Sequence, residues 1–148
     1  MNITRRTALL GTVLSLSFFG RASAAAIPVM LYKDPQCGCC EGYAAYLKEN
    51  GFDVTVKPTN DLAEISQKAG VPAEFQGCHT AFIEGYVVDG HVPIGAVRKL
   101  LAERPAIAGI TLPGMPMGSP GMVGEKSEPF VVYAVTKDGA APTVFATE

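Results

Sequence analysis

A run of cysteines between an apolar segment and an amphipathic segment constrains this chain most. The motif Cys37-Gly38-Cys39-Cys40 contains a Cys-x-x-Cys spacing and follows the apolar residues 27–33, which are ended by Asp34-Pro35. From residue 40 to 50, apolar residues recur three and four positions apart, and Gly51 then closes the segment as a helix C-cap. The cysteines therefore lie where a buried strand meets the N-terminus of a helix.

Residues 52–101 continue this alternation of strands and helices. Apolar and polar residues alternate over 52–56 before Pro58, which predicts a half-buried strand. A second helix is expected from a cap at Asn60 or Asp61 to residue 68, and a loop follows over 71–77. Two short strands, 80–83 and 86–88, flank the turn Glu84-Gly85, and Pro93 begins a third helix. The predicted order is βαβαββα.

The C-terminal third has a different composition. Residues 105–129 are crowded with Gly, Pro and Met, which predicts no regular structure there. Residues 130–135 and 143–145 flank Lys137-Asp138-Gly139, which predicts a last β-hairpin.

The order βαβ followed by ββα, with cysteines between the first strand and the first helix, resembles the thioredoxin fold. The expected fold class is therefore α/β: a thioredoxin-like βαβαββα unit with a central mixed sheet, plus a C-terminal β-hairpin. Because crossovers between parallel strands are right-handed, helices are expected on both faces of the sheet. With 148 residues, 48% of them apolar, the chain is expected to form one domain over residues 25–148, whose core needs no metal or disulfide.

Residues 1–24 have the composition of an export signal. Arg5 and Arg6 precede an apolar run over 8–19, and Ala22-Ser23-Ala24 has the small-x-small pattern of a signal-peptidase site. Residues 4–9 also half-match a twin-arginine signal, although the usual Phe and Lys are missing. These features predict a periplasmic location. The alternative is an amphipathic first helix of the fold.

The charge of the mature chain limits its partners. Removal of residues 1–24 lowers the twelve Lys and Arg residues to nine, against fourteen Asp and Glu residues. A mildly acidic protein lacks the clustered positive charge that nucleic acids and anionic membranes require. No later apolar stretch reaches the roughly 20 residues of a membrane-spanning helix, so no membrane span is expected in the mature chain.

The cysteine cluster favours soft-metal chemistry. A helix N-terminus stabilises thiolate, which is both the nucleophile of disulfide exchange and a ligand of soft metals. Cys39 is a third sulfur that simple dithiol exchange does not use. Cys78 and His79 come just before the third strand, where thioredoxins conventionally carry a cis-proline, so they are expected beside the Cys-x-x-Cys motif. Thiolates select Cu(I) or Zn(II), and imidazole suits both as well as Cu(II).

The same cysteines also allow a purely structural interpretation. They could form two disulfides that hold a loop together, for instance Cys37–Cys40 with Cys39–Cys78. The adjacent residues Cys39 and Cys40 do not pair easily with each other, because that linkage strains the peptide. At least one of them must therefore find another partner.

His91 and three methionines are further candidates. We interpret His91, which precedes the third helix, as a turn or capping histidine rather than a ligand. Met115, Met117 and Met122 lie within eight residues, and such methionines either fill gaps on the core or offer thioethers to Cu(I). Both interpretations of the methionines stay open.

Four motifs in chain order carry a resemblance to a known family. They are KDPQCGCC (33–40), GCHT (77–80), EGYVVDGHVP (84–93) and PGMPMGSPGM (113–122). In these the chain resembles the CopG-type copper-resistance proteins, which are periplasmic metal-binding domains. The resemblance implies copper as the metal, Cys37, Cys39, Cys40 and Cys78 as ligands, and a role in copper tolerance beside copper-export or copper-chaperone proteins.

These observations predict a periplasmic copper-binding protein that sequesters Cu(I) or interconverts copper oxidation states on a thiolate cluster. His79 and the three methionines are expected to join the four cysteines as metal ligands. The residues leave both storage and redox catalysis open. A thiol-disulfide oxidoreductase, with Cys37 as nucleophile and Cys40 as resolving thiol, is the alternative. A structural zinc module is disfavoured because the chain has enough apolar residues to fold without metal.

Overall fold

The computed structural model describes residues 25–148, and the predicted export signal lies outside them. Within this range the chain forms seven strands, three α-helices and one short 3₁₀ turn. In chain order these are β1 (Ile27–Lys33), α1 (Gly38–Glu49), β2 (Phe52–Pro58), α2 (Leu62–Lys68), the 3₁₀ turn (Ala73–Phe75), β3 (His79–Ile83), β4 (Tyr86–Asp89), α3 (Ile94–Glu103), β5 (Gly109–Thr111), β6 (Val131–Val135) and β7 (Thr143–Thr147).

The strands form one mixed sheet in the order β2-β1-β3-β4-β5-β6-β7. The pairs β1–β2 and β4–β5 are parallel, and the other neighbouring pairs are antiparallel. The predicted α/β class, the order βαβαββα and the central mixed sheet are confirmed. The C-terminal hairpin is also confirmed as β6–β7.

The prediction of no regular structure over residues 105–129 is wrong at β5. This strand pairs with β4 on one side and β6 on the other, so it joins the C-terminal hairpin to the thioredoxin-like part of the sheet. Three residues are too few to show a strand periodicity in the sequence. The strand exists because two neighbouring strands satisfy its backbone groups, which is a tertiary effect.

Helices cover both faces of the sheet, as predicted. Tyr43 and Leu47 of α1 share one buried cluster with Val97 and Leu100 of α3. The opposite face carries α2, where the Ser66 hydroxyl lies 2.6 Å from the hydroxyl of Thr80 in β3. Successive residues of a strand point to opposite faces, which is why β3 serves both layers.

The strand register brings distant segments to one edge of the sheet. Lys33, the last residue of β1, is paired with His79, the first residue of the antiparallel strand β3. Thr80 is paired with Asp89, the last residue of β4. The segments that follow β1, precede β3 and follow β4 therefore meet at the same end of the sheet. These segments carry the four cysteines and both histidines.

Among residues 25–148, no helix combines the length and apolar character needed to cross a bilayer.

We predict that Gly109→Ala destabilises the domain, because a Cβ at this position would lie 1.8 Å from the carbonyl oxygen of Val87 in β4. The two strands would have to separate, and overpacking of this kind typically costs about 1–3 kcal/mol. The free energy of unfolding in urea measures the effect. Gly38→Ala is the matched control, since its Cβ would meet nothing within 4 Å. Equal stability of the two variants would contradict the tight packing of β5.

Candidate metal centre

The Cys-x-x-Cys motif begins helix α1. Cys37 is the N-cap residue with an extended backbone, and its N–H donates to the carbonyl of Asp34 at 3.1 Å. Cys39 and Cys40 lie in the first helical turn. Cys40 is fully buried, whereas Cys37 and Cys39 are partly exposed. The motif thus presents one sulfur to the core and two toward the surface.

The structure brings the four predicted cysteines together. Their sulfur atoms all lie within 4.8 Å of one another. Cys39 Sγ lies 3.2 Å from Cys37 Sγ, and Cys78 Sγ lies 3.4 Å from Cys40 Sγ. The distance between Cys39 Sγ and Cys78 Sγ is 3.7 Å. A common centre for four sulfur donors is therefore present.

Cys37 and Cys40 form a disulfide, and Cys39 and Cys78 are free thiols. The alternative interpretation of the sequence, in which two disulfides hold a loop together, is thus correct for Cys37–Cys40 only, because the second disulfide, Cys39–Cys78, is not formed. Soft metals bind thiolate rather than disulfide sulfur. Of the four cysteines, only Cys39 and Cys78 offer thiol sulfur to a metal ion in this state, and a two-electron, two-proton reduction of the disulfide would free the other two.

His91 lies in the turn between β4 and α3, as interpreted, but it does not cap that helix, and its side chain belongs to this cluster. Its side chain is fully buried, with Nε2 3.2 Å from Cys78 Sγ. The N-cap of α3 is Pro93, and no side chain caps that helix. Sequence position alone could not reveal the contact, since β4 must first pair with β3 to bring residue 91 beside residue 78. One signal in the sequence could have suggested this contact. His91 follows shortly after the second strand of the predicted hairpin, and the first strand of that hairpin begins beside Cys78.

The other nitrogen of the His91 ring fixes its orientation. Nδ1 lies 2.6 Å from the carbonyl oxygen of Pro120, which can only accept, so Nδ1 carries the proton. Nε2 then holds a lone pair directed at the cluster. Histidines that bind metal ions usually donate their second ring N–H to a carbonyl or carboxylate in this way. The arrangement suits His91 to metal ligation.

His79 brings a second imidazole to the cluster. Its Nδ1 lies 3.6 Å from Cys78 Sγ, and together Cys78, His79 and His91 form a second group of donors within 4.8 Å. Its Nε2 is buried without a hydrogen-bond partner. Such an orphaned polar atom costs roughly 1–3 kcal/mol and calls for an explanation, of which a metal ion is one.

Burial keeps the cluster uncharged. It lowers the pKa of His79 to about 3, with the nearby His91 acting in the same direction, and it also lowers the pKa of His91. Burial and the neighbouring Cys39 raise the pKa of Cys78 to about 12. The imidazoles are therefore in the neutral form that binds metal, while the Cys78 thiol keeps its proton until a metal ion displaces it.

Tyr43 holds the two imidazole rings in place. Its ring centroid lies 4.5 Å from that of His79 and 5.5 Å from that of His91. The tyrosine is fixed in turn, because its hydroxyl donates to the carbonyl of Val92 at 2.9 Å. Both histidine rings are thus packed against the fixed side chain of Tyr43 in α1.

The methionine segment is tied to the cluster through its backbone. Pro120 accepts the hydrogen bond from His91, and Gly121 lies so close to α1 that a Cβ on Gly42 would be 2.7 Å from its oxygen. Met115 and Met117 are 51% and 61% exposed, and Met122 is partly buried. The assignment of these methionines as ligands stays a prediction.

Asp89 supports the loop that carries Cys78. Its carboxylate accepts hydrogen bonds from the N–H of Gly77 and, at 2.7 Å, from the Thr80 hydroxyl. Burial nevertheless dominates and raises the pKa of Asp89 to about 6. The sequence analysis did not single out this residue, because a carboxylate at the end of a strand is usually exposed.

Comparison with known proteins agrees with this geometry. A family described as "Protein of unknown function, DUF411" matches residues 75–122, which include Cys78, His79, His91 and the three methionines. Two solved structures, titled "Copper resistance protein copG" in Form 1 and Form 2, are each 36% identical to this chain. Each match has a TM-score of 0.76 and covers 83% of this chain and 98% of the other. The chain belongs to the CopG family. No curated protein matches it significantly.

In this CopG-family chain, we predict that Asp89→Asn alters how stability depends on pH. Because the folded-state pKa of Asp89 is raised from 3.8 to about 6, its contribution to stability is greatest below pH 4 and is lost as pH rises to about 6. The loss is worth about 3 kcal/mol. Asparagine does not ionise, and its carbonyl oxygen can still accept from the Gly77 N–H. Its amide N–H can donate to the Thr80 hydroxyl, whose own proton can turn to Ser66 Oγ at 2.6 Å, so the variant gains stability relative to the parent over this range.

The measurement is the free energy of unfolding of the metal-free domain at intervals from pH 4 to 7. The buried histidines act in the opposite direction, since their lowered pKa values favour the folded state at higher pH, but they are common to both proteins. Parallel pH profiles for parent and variant would contradict the raised pKa of Asp89.

Proposed function

We propose that this protein is a periplasmic copper-binding protein that holds Cu(I) on Cys37, Cys39, Cys40 and Cys78. The observation that carries the proposal is the convergence of four sulfurs within 4.8 Å, backed by two neutral imidazoles. His79 and His91 act from the buried side. Met115, Met117 and Met122 act from the surface segment anchored at Pro120 and Gly121.

The donor set favours copper over zinc. Cu(I) is a soft ion that thiolate ligands select, and four cysteine sulfurs converge in this cluster. The solved relatives are titled copper resistance proteins. A structural zinc site is disfavoured because the core packs on both faces of the sheet without any help from the cluster. Removal of metal should therefore leave the domain folded.

The disulfide adds an oxidation–reduction reaction to the proposed copper binding. With both thiols reduced, Cys37 and Cys40 hold two electrons, enough to convert two Cu(II) ions to two Cu(I) ions while the disulfide forms and two protons leave. Reduction of the disulfide by an external dithiol, which supplies two electrons and two protons and becomes a disulfide itself, restores the four thiols of the site. Copper uptake and copper oxidation state are thus linked through the same pair of sulfurs.

A thiol-disulfide oxidoreductase is the second candidate, favoured by the disulfide at the N-terminus of α1. In that chemistry Cys37 attacks a substrate and Cys40 resolves the mixed disulfide, so the free thiols Cys39 and Cys78 have no part in it. The copper proposal uses both of these thiols, whose sulfurs lie within 4.8 Å of those of Cys37 and Cys40.

The proposed cellular setting follows from the sequence. Residues 1–24 act as an export signal, and residues 25–148 form the mature metal-binding domain. Copper-export or copper-chaperone proteins of the periplasm are the proposed partners. The function is copper tolerance, through sequestration of Cu(I) or conversion between copper oxidation states.

The decisive experiment is anaerobic titration of the reduced domain with Cu(I) in competition with a Cu(I) chelator. We expect tight uptake that protects all four thiols from alkylation. A disulfide-reductase assay on the same protein is expected to show no turnover. Weak copper binding together with rapid disulfide exchange would contradict the proposal and favour the oxidoreductase.

We predict that Cys39→Ser lowers the Cu(I) affinity at least tenfold, because a hydroxyl is a poor ligand for a soft ion. The Cys37–Cys40 disulfide should still form, since Cys39 takes no part in it. Ala45→Ser, which places the same hydroxyl on an exposed position of α1, is the matched control. Unchanged copper affinity in Cys39→Ser would remove Cys39 from the site.

We also predict that His91→Phe lowers the Cu(I) affinity by about tenfold while a ring of similar size keeps the packing against Tyr43. Competition with the chelator measures the affinity, and the unfolding transition of the metal-free variant checks the fold. Parent-like affinity in a folded His91→Phe protein would restrict the site to sulfur ligands.

A further inference from the structure

Lys33 is a buried cation beneath the cysteine motif. It ends β1 and is only 3% exposed, although lysine is among the residues least often buried. Its Nζ donates to the carbonyl oxygens of Cys37 at 3.0 Å and Asp34 at 3.2 Å, and Pro35 O lies at 3.5 Å. The Glu41 carboxylate lies 3.2 Å away. The copper-site assignment leaves this arrangement unexplained.

The contacts of Lys33 fix the turn that presents the sulfurs. An ammonium group has three N–H donors, and here they meet carbonyls of the turn between β1 and α1 and the first-turn carboxylate of the helix. Cys37 is the last residue of that turn, and Cys39 and Cys40 follow directly. Together with the hydrogen bond from the Cys37 N–H to the Asp34 carbonyl, the Lys33 side chain thus holds the backbone that carries three of the four sulfurs.

The charge of Lys33 matters as much as its hydrogen bonds. Loading with Cu(I) replaces thiol protons and leaves several thiolates in a small volume, and any thiol that ionises after reduction of the disulfide adds negative charge there. The partner carboxylate of Glu41 is 60% exposed and screened by water, whereas the ammonium is buried. The buried ammonium lies 3.0 Å from the carbonyl oxygen of Cys37, and a positive charge next to this residue favours the states in which the neighbouring sulfurs are negative.

We propose that Lys33 is a positioning residue whose buried ammonium holds the turn before α1 and favours the reduced, Cu(I)-loaded cluster over the Cys37–Cys40 disulfide. The copper part of this inference rests on the proposed function. The disulfide part does not, because it concerns the protein without metal.

The test compares four proteins in a glutathione redox buffer without copper: the parent, Lys33→Gln, Lys33→Arg and Glu41→Gln. Lys33→Gln keeps a hydrogen-bond donor but loses the charge, and we expect its dithiol–disulfide equilibrium to move about tenfold toward the disulfide, which is about 30 mV. Lys33→Arg keeps the charge and should stay within about threefold of the parent. Glu41→Gln removes the exposed partner and should not move toward the disulfide.

The same variants are then titrated with Cu(I) against a chelator. We expect Lys33→Gln to bind Cu(I) about tenfold more weakly and Lys33→Arg to bind like the parent. Lys33→Met, which lacks both charge and donors, separates the two roles: a further loss beyond that of Lys33→Gln measures the hydrogen bonds to the turn. If Lys33→Met fails to fold, Lys33→Gln and Lys33→Arg still decide the effect of the charge.

A parent-like redox equilibrium in folded Lys33→Gln would overturn the inference, and so would equal shifts in Lys33→Gln and Lys33→Arg, which would indicate a steric role only. If the proposed copper-binding function is wrong, the experiments give a different result. In that case the parent protein itself would bind Cu(I) weakly, while the effect of Lys33 on the disulfide equilibrium would remain measurable.

Discussion

The antiparallel pairing of β1 with β3 is the constraint on which the rest of the structure depends. The partnership of Lys33 with His79 places the turn after β1 beside the residue that precedes β3, so Cys78 arrives among the sulfurs of the Cys-x-x-Cys motif. Pairing of β3 with β4 then brings His91 to the same edge. Backbone hydrogen bonds hold this register, because a shift of one residue would turn every side chain to the opposite face of the sheet.

The cluster is built to stay neutral until it is reduced and loaded. Burial disfavours charge on His79, His91 and the Cys78 thiol alike, which gives neutral donors and one pair of sulfurs locked in a disulfide. A soft cation changes this balance because it replaces the thiol protons and neutralises the thiolates at once. In the proposed function, loading of the cluster with Cu(I) is thereby coupled to reduction and to proton release.

Local patterns predicted most of the elements and the sulfur ligands. The helix after the cysteines and the alternating strand β2 are visible in residue spacing, and the Cys-x-x-Cys motif marks its own position. The short strand β5 was missed because its three residues gain their hydrogen bonds from two other strands. His91 and Lys33 were missed for a related reason. His91 lies in a turn and Lys33 ends a strand, and only the packing of the folded chain shows that both side chains are buried at the cluster.

The sequence by itself determined the α/β class, the position of three cysteines at a helix N-terminus and the soft character of the ligands, since these follow from local spacing and side-chain chemistry. Only the tertiary structure decided which distant residues join them. Strand pairing brought Cys78, His79 and His91 to the motif, and Cys39 and Cys78 stayed free although they lie together in the cluster. Contacts between segments some 40 residues apart depend on register and burial, which no local pattern encodes.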